Sequence, residues 1–157
     1  MNVEQAWAVL DTVPDPEVPA LSVRDLGIVR DVIVLAEGLE VVLTPTYSGC
    51  PATEVIAQDI RDALCSAGLG PVTVTQRRAP AWTTDWISDK GRRKLLAAGI
   101  APPGVASEAI FIRPRRIECP LCGSTDTERL SAFGSTACKA LYRCRACREP
   151  YEHFKPI

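Results

Sequence analysis

The sequence predicts an α+β fold: a small α-β-β-α-β-α domain with helices packed on a short sheet, followed by a C-terminal unit built around paired cysteines. Three observations predict it. Apolar residues recur with helical spacing in some segments and with strand character in others. Prolines and glycines punctuate the boundaries between those segments. Four of the seven cysteines fall in two C-x2-C pairs within the last 39 residues.

Val3, Ala6, Trp7 and Leu10 share one helical face, so residues 3–11 read as a first helix. Val13-Pro14-Asp15-Pro16-Glu17-Val18-Pro19 follows, and its three prolines exclude regular structure and make a stiff loop. Ile28–Leu35 and Leu39–Thr44 are rich in β-branched residues and are joined by Ala36-Glu37-Gly38, which reads as a hairpin. Pro51 suits the first position of a helix, where its missing N–H costs nothing. Ala52, Val55, Ile56, Ile60, Ala63 and Leu64 then form an apolar stripe, and Gly68 and Gly70 end the helix. Val72–Gln76 alternates as a half-buried strand does, and Ser88 can cap a last helix that stops at Gly99. This reading gives a first domain over 1–104, a linker over 105–116 that starts near Ala101-Pro102-Pro103-Gly104, and a second unit over 117–157.

The second unit carries the clearest chemistry. Cys119 and Cys122 form one C-x2-C, Cys144 and Cys147 another, with 21 residues between the pairs. Each pair makes a tight knuckle that aims two sulfurs at one point, and two knuckles complete the tetrahedron of a structural metal site, the pattern of a zinc ribbon. Thr127–Phe133 and Ala137–Tyr142 would be the strands between the knuckles. A unit of about 40 residues buries too little apolar surface to fold alone, so a metal staple is expected. Four thiolates suit Zn2+ and also iron; a metal-free pair of redox dithiols is the alternative. Cys138 could be a spare ligand or could pack along a strand, and Cys65 near a helix end reads as structural.

Charge is uneven: residues 1–112 hold 9 Lys and Arg against 14 Asp and Glu, and residues 113–157 hold 9 against 5. Arg113, Arg115, Arg116, Arg129, Lys139, Arg143, Arg145 and Arg148 invite a nucleic-acid reading, but the sequence pI of about 5.9 is far from a strongly basic footprint. Offsetting the charge of a thiolate-bound ion is the other use of these cations. No apolar run approaches the roughly 18–20 residues that span a membrane. The first residues lack a basic and apolar leader, so a cytoplasmic protein is expected.

Cys50, in Ser48-Gly49-Cys50-Pro51, falls at the N-cap of the helix that starts at Pro51. Exposed N–H groups and the positive helix end favour a thiolate there, which would be a nucleophile and a soft-metal ligand. A small residue closing a strand-to-helix turn is the other reading of Cys50. Asp15 and Glu17, held by prolines, could bind a cation or a partner, or could be solvated turn residues. Trp82, Trp86 and Arg92-Arg93-Lys94 could form a partner surface or a partly buried cluster beside a solvated helix face. The one histidine, His153, lies beyond the last cysteine and offers no evident Cys–His couple.

Asp15-Pro16-Glu17-Val18-Pro19, Asp25-Leu26-Gly27-Ile28-Val29 and Thr44-Pro45-Thr46-Tyr47-Ser48-Gly49-Cys50-Pro51 resemble the small domain of iron–sulfur cluster assembly accessory proteins. Trp82-Thr83-Thr84-Asp85-Trp86-Ile87, Gly99-Ile100-Ala101-Pro102-Pro103 and Phe133-Gly134-Ser135-Thr136-Ala137-Cys138-Lys139 resemble the D subunits of bacterial phenylacetyl-CoA epoxidase systems. The resemblance covers nearly the whole chain, with no departure at Cys50, the acidic loop or the four ribbon cysteines. It implies a non-catalytic accessory protein in aerobic phenylacetate catabolism that aids iron–sulfur maturation of the system's components, the iron–sulfur reductase above all. It also implies structural Zn2+ and a transient iron–sulfur cluster handled with Cys50 as the family's distinctive cysteine. A stably bound structural component without cluster transfer is the alternative, and an enzyme with Cys50 as nucleophile a third. In keeping with a helper, the sequence has no recognisable di-iron ligand set and no flavin or nicotinamide motif.

Overall fold

A computed structural model describes residues 2–104 and 116–157. The expected linker, with Arg113 and Arg115, lies outside the described residues except for Arg116. The chain divides into two compact units, Met1–Gly91 and Arg92–Ile157.

In the first unit, α1 (Val3–Leu10) starts at Asn2, whose side-chain oxygen accepts from the Glu4 N–H at 2.9 Å. β1 (Val29–Val34) and β2 (Leu39–Leu43) form the expected antiparallel hairpin. β3 (Val72–Gln76) lies parallel to β2, placing Val41 opposite Val74. Parallel neighbours need a crossover, and α2 (Ala52–Ser66) supplies it. The sheet order β1-β2-β3 makes β2 the central strand, which is why Leu39, Val41, Val42 and Leu43 are all buried. α1 packs on α2 and β1, and α2 on β3. The buried stripe of α2 is Ala52, Ile56, Ala57, Ile60 and Leu64. Val55, expected in that stripe, is half exposed, because the i, i+4, i+8 row through Ile56 turns it outward.

The proline-rich segment is irregular, as expected, yet it is part of the core. Val13, Val18, Leu21, Val23 and Leu26 are buried, and the Asp15 and Val23 N–H groups donate to Leu21 and Val13 carbonyls, each at 2.9 Å. Buried Asp25 accepts from the Ser22 N–H and the Ser88 hydroxyl. The Trp82 indole N–H donates to the Leu26 carbonyl at 2.9 Å, and the Arg30 guanidinium lies 3.6 Å from the Trp86 ring centre. The two tryptophans therefore hold the Asp25–Ile28 turn in place.

α3 (Asp89–Ala97) begins at Ser88, whose hydroxyl accepts from the Gly91 N–H at 2.9 Å. The division between units falls inside this helix. The second unit holds a sheet of order β4-β7-β6-β5, made of β4 (Ile100–Ala101), β5 (Thr127–Ser131), β6 (Lys139–Cys144) and β7 (Pro150–Phe154). Two strands are expected here from the sequence. β7 is a third, pairing antiparallel with β6, and Ile100–Ala101 adds parallel to Glu152–His153. A two-residue strand has no periodicity to read, and only its partner defines it. Arg92–Gly104 therefore groups with the ribbon strands, whereas the sequence places these residues in the first domain. β6 also starts and ends two residues later than expected, so the second knuckle grows directly out of the strand that ends at Cys144.

Candidate functional site

The Sγ atoms of Cys119, Cys122, Cys144 and Cys147 all lie within 4.8 Å of one another. Cys119 and Cys147 are 3.8 Å apart and Cys122 and Cys144 3.5 Å. A tetrahedron with metal–sulfur bonds of about 2.3 Å has edges of roughly 3.8 Å, so this donor set fits a four-thiolate ion. Each knuckle is fixed by backbone. The Gly123 N–H donates to the Cys119 carbonyl and the Cys119 N–H to the Ser124 carbonyl, both at 2.9 Å, and the Cys144 N–H donates to the Glu149 carbonyl at 3.0 Å.

The thiols titrate as a coupled group. The Cys147 N–H, 3.5 Å from the Cys144 sulfur, does most to bring the Cys144 thiol down to about 7, against its burial. The Glu149 N–H pulls Cys147 the same way, but burial and the neighbouring thiols outweigh it and push Cys147 up to about 12. Four thiols this close cannot all ionise unaided, and a divalent cation removes the conflict.

A second candidate site lies in the first unit. Asp15, Glu17 and Cys50 line one cavity with Val18, Leu26, Ile28, Leu43, Thr44 and residues of the α2 start. Asp15 is buried, and its Oδ1 accepts from the Glu17 N–H at 2.9 Å and the Val18 N–H at 2.8 Å. Cys50 is half-buried. Its expected place as the helix cap needs correction by one residue. Pro51 is the cap, with φ −67° and ψ −22°, and no side chain caps the helix. The Cys50 backbone makes the turn instead: its N–H donates to the Tyr47 carbonyl at 3.3 Å and its carbonyl accepts from the Thr53 N–H at 3.2 Å. The thiol is left to the cavity.

Residues 106–155 match the PaaD zinc beta ribbon domain, and residues 3–75 match the iron-sulfur cluster assembly protein family. A protein of Escherichia coli strain K12, provisionally named as the D subunit of 1,2-phenylacetyl-CoA epoxidase, is 49% identical over 99% of this chain and 94% of its own length. The chain belongs to the D-subunit family of phenylacetyl-CoA epoxidases. A Porphyromonas gingivalis protein named Fe-S protein maturation auxiliary factor is 36% identical over 59% of this chain and 89% of its own. A crystal structure of a domain of unknown function, DUF59, from Bacillus anthracis superimposes with a TM-score of 0.55 at 25% identity, covering 59% of this chain and 89% of that one.

In this D-subunit chain, the Phe133–Lys139 motif has a structural task that sequence did not reveal. It wraps the Glu152 carboxylate. The Ser135 N–H and hydroxyl donate to it at 2.7 and 2.9 Å, and Lys139, itself buried, lies 3.7 Å from it. A Cβ on Gly134 would collide with the same carboxylate. Two more of the ribbon's cations meet carboxylates: Arg143 pairs with Glu128, and Arg145 with Glu128 and Asp126. Cys138 is buried 3.0 Å from the Thr136 hydroxyl and lies outside the four-thiol group, whereas Cys65 is exposed on α2. His153 is buried, with Nδ1 donating to the Ala101 carbonyl at 3.1 Å. Among the described residues no helix is long and apolar enough to cross a membrane.

Proposed function

We propose that this chain is a non-catalytic accessory protein of a phenylacetyl-CoA ring 1,2-epoxidase system, and that it aids maturation of the system's iron–sulfur component in the cytoplasm. The observation that carries the reading is the shared cavity. Asp15, Glu17 and Cys50 come from two loops more than thirty positions apart, and the fold brings them to one lining. A thiol beside two carboxylates offers one soft and two hard donors, a set suited to holding iron-containing cargo transiently. Relatives of the first unit named as Fe-S protein maturation auxiliary factors support it. In this reading Cys50 holds the cargo, Asp15 and Glu17 steer it, and the reductase of the system receives it.

The ribbon has a separate role. Cys119, Cys122, Cys144 and Cys147 hold structural zinc. The ion supplies a cross-link between the two knuckles, and the sheet around it presents a rigid surface to the oxygenase components.

The deciding experiment is anaerobic reconstitution of the purified reductase with limiting iron and sulfide, with and without this chain. Faster or fuller recovery of the reductase's cluster, lost with Cys50→Ala, is the expected result. No effect on the reductase, together with stable co-purification with the oxygenase, would replace maturation with a purely structural role in the complex.

A further inference from the structure

The two proteins named as Fe-S protein maturation auxiliary factors match 59% and 62% of this chain with 89% and 93% of their own length, which leaves them no length for a ribbon. The Escherichia coli relative matches 99% of this chain, ribbon included. In the maturation reading, then, handling the cargo needs the first unit alone, and the ribbon adds a different task.

The outer strand of the ribbon sheet points to that task. β5 lies at the edge, and Leu130 is skipped in its register with β6, between Arg129 opposite Tyr142 and Ser131 opposite Leu141. Leu130 is 49% exposed. Phe133, just past the strand, is 65% exposed, more than any other large apolar side chain among the described residues. Its ring is held in place, with the Lys155 amino group 4.4 Å from the ring centre and donating to the Ala132 carbonyl at 2.8 Å. A ring fixed in advance loses little freedom on docking. The charge left over at this edge is positive. Glu128 and Glu152, the carboxylates of these strands, are taken by Arg143 and Arg145 and by Ser135 and Lys139. Arg129 is exposed and has no carboxylate partner among the described residues. The bulge at Leu130 spoils the edge for a further strand, so a partner meets side chains here rather than backbone. We propose that Arg129, Leu130 and Phe133 form a docking surface for the cluster-receiving reductase, fitting an apolar hollow rimmed by carboxylates on that protein. The inference rests on the maturation reading above and gives the ribbon the choice of recipient. The two apolar side chains anchor the contact, and Arg129 and Lys155 orient it by charge.

The test titrates fluorescently labelled, cluster-free reductase with the full-length chain carrying its ribbon metal, reads anisotropy, and follows recovery of the reductase's cluster in parallel. The chain is used as wild type, Phe133→Ala, Arg129→Glu and Cys50→Ala, each checked for melting and metal content. Phe133→Ala and Arg129→Glu are each expected to raise the Kd on the order of tenfold. The chain concentration that gives half-maximal recovery should rise by the same factor, with the rate at saturation unchanged. Cys50→Ala should bind like the wild type, recover nothing and compete with the wild type for the reductase. Arg129→Glu changes an exposed residue with no carboxylate partner, so it decides the matter if Phe133→Ala loses its ribbon metal. Cys50-dependent recovery with wild-type binding by both edge variants would overturn the docking surface and leave the maturation reading intact. Edge-dependent binding without Cys50-dependent recovery would keep the docking surface and remove the maturation reading. Wild-type dimers that Phe133→Ala dissolves, with no binding to the reductase, would assign the edge to a second copy of the chain and overturn the proposal.

Discussion

Gly123 and Arg148 occupy the same place in the two knuckles, each directly after the second cysteine of its pair, with φ of +76° and +65°. The backbone must turn left-handed there for N–H groups to point back at the sulfurs. One knuckle meets that demand with glycine and the other with arginine, which is strained in this region. The Cβ of a Gly123→Ala variant would meet only the flexible Glu118 carboxylate at 3.6 Å, so the cost is conformational alone. Gly123→Ala is expected to destabilise the metal-loaded chain by about 1 kcal/mol, and Arg148→Gly to stabilise it by about half that, since glycine's unfolded-state entropy offsets part of the relief. Denaturant unfolding at fixed metal measures both. A stabilising Gly123→Ala would mean that the turn is not strained.

Each of Cys119, Cys122, Cys144 and Cys147 is expected to be needed for metal retention and for order in the second unit. Structural zinc in small finger peptides contributes on the order of 10–16 kcal/mol, more than most domains' whole net stability. Single Cys→Ser variants, or a strong chelator, should therefore unfold the ribbon strands while the first unit still melts cooperatively. Elemental analysis paired with two-transition calorimetry reads both. A chain that keeps β5–β7 ordered with no metal would show that packing around Tyr142 and Tyr151, whose rings stack at 5.8 Å, suffices.

His153 gives the ribbon a pH dependence whose sign follows from its burial. Desolvation holds the imidazole below its ordinary value of 6.5, and the bond to the Ala101 carbonyl only partly opposes it. The unfolded chain thus binds a proton at a pH where the folded chain does not. Stability is fully present above 6.5 and declines as pH falls from there toward the lowered folded value. His153→Gln keeps a donor for Ala101 but does not titrate. Its unfolding free energy should be flatter than the wild type's between about pH 7 and 5. Parallel curves for the two would assign the pH dependence to other groups.

Much of this fold was legible because its signals are local. The α2 stripe, the hairpin around Gly38, the Ser88 cap and the paired cysteines each lie within a few residues of what they specify. The parts that escaped are defined by distant partners. Ile100–Ala101 is a strand only because Glu152–His153 lies beside it, and Gly134 is small only because Glu152 approaches it. Thr44 reads in sequence as one more β-branched strand residue. Its burial, and the lack of a hydrogen-bond partner for its hydroxyl among the described residues, appear only in the folded chain. Asp15, Glu17 and Cys50 were each visible, but nothing in the residues alone placed them on one cavity.

The last expectation separates the chemistry of Cys50 from its place in the turn. The turn is made by the Cys50 backbone, through its bonds to Tyr47 and Thr53, while the α2 start needs no side-chain cap. Truncating a half-buried side chain that caps nothing should cost no more than about 1 kcal/mol, well inside a usual margin of about 5–15 kcal/mol. Cys50→Ala and Cys50→Ser should therefore keep the wild-type melting profile and the ribbon metal. Both should lose function, because alanine offers no donor and a serine hydroxyl is a poor ligand for a soft metal site. Serine is the sharper variant: it keeps size and a polar atom in the cavity, so its failure isolates the sulfur. The readout is growth on phenylacetate in cells that lack the wild-type copy, beside melting and zinc content of each purified variant. Normal growth with serine would mean that the cavity needs only a small polar residue at position 50, and the maturation reading would lose its thiol.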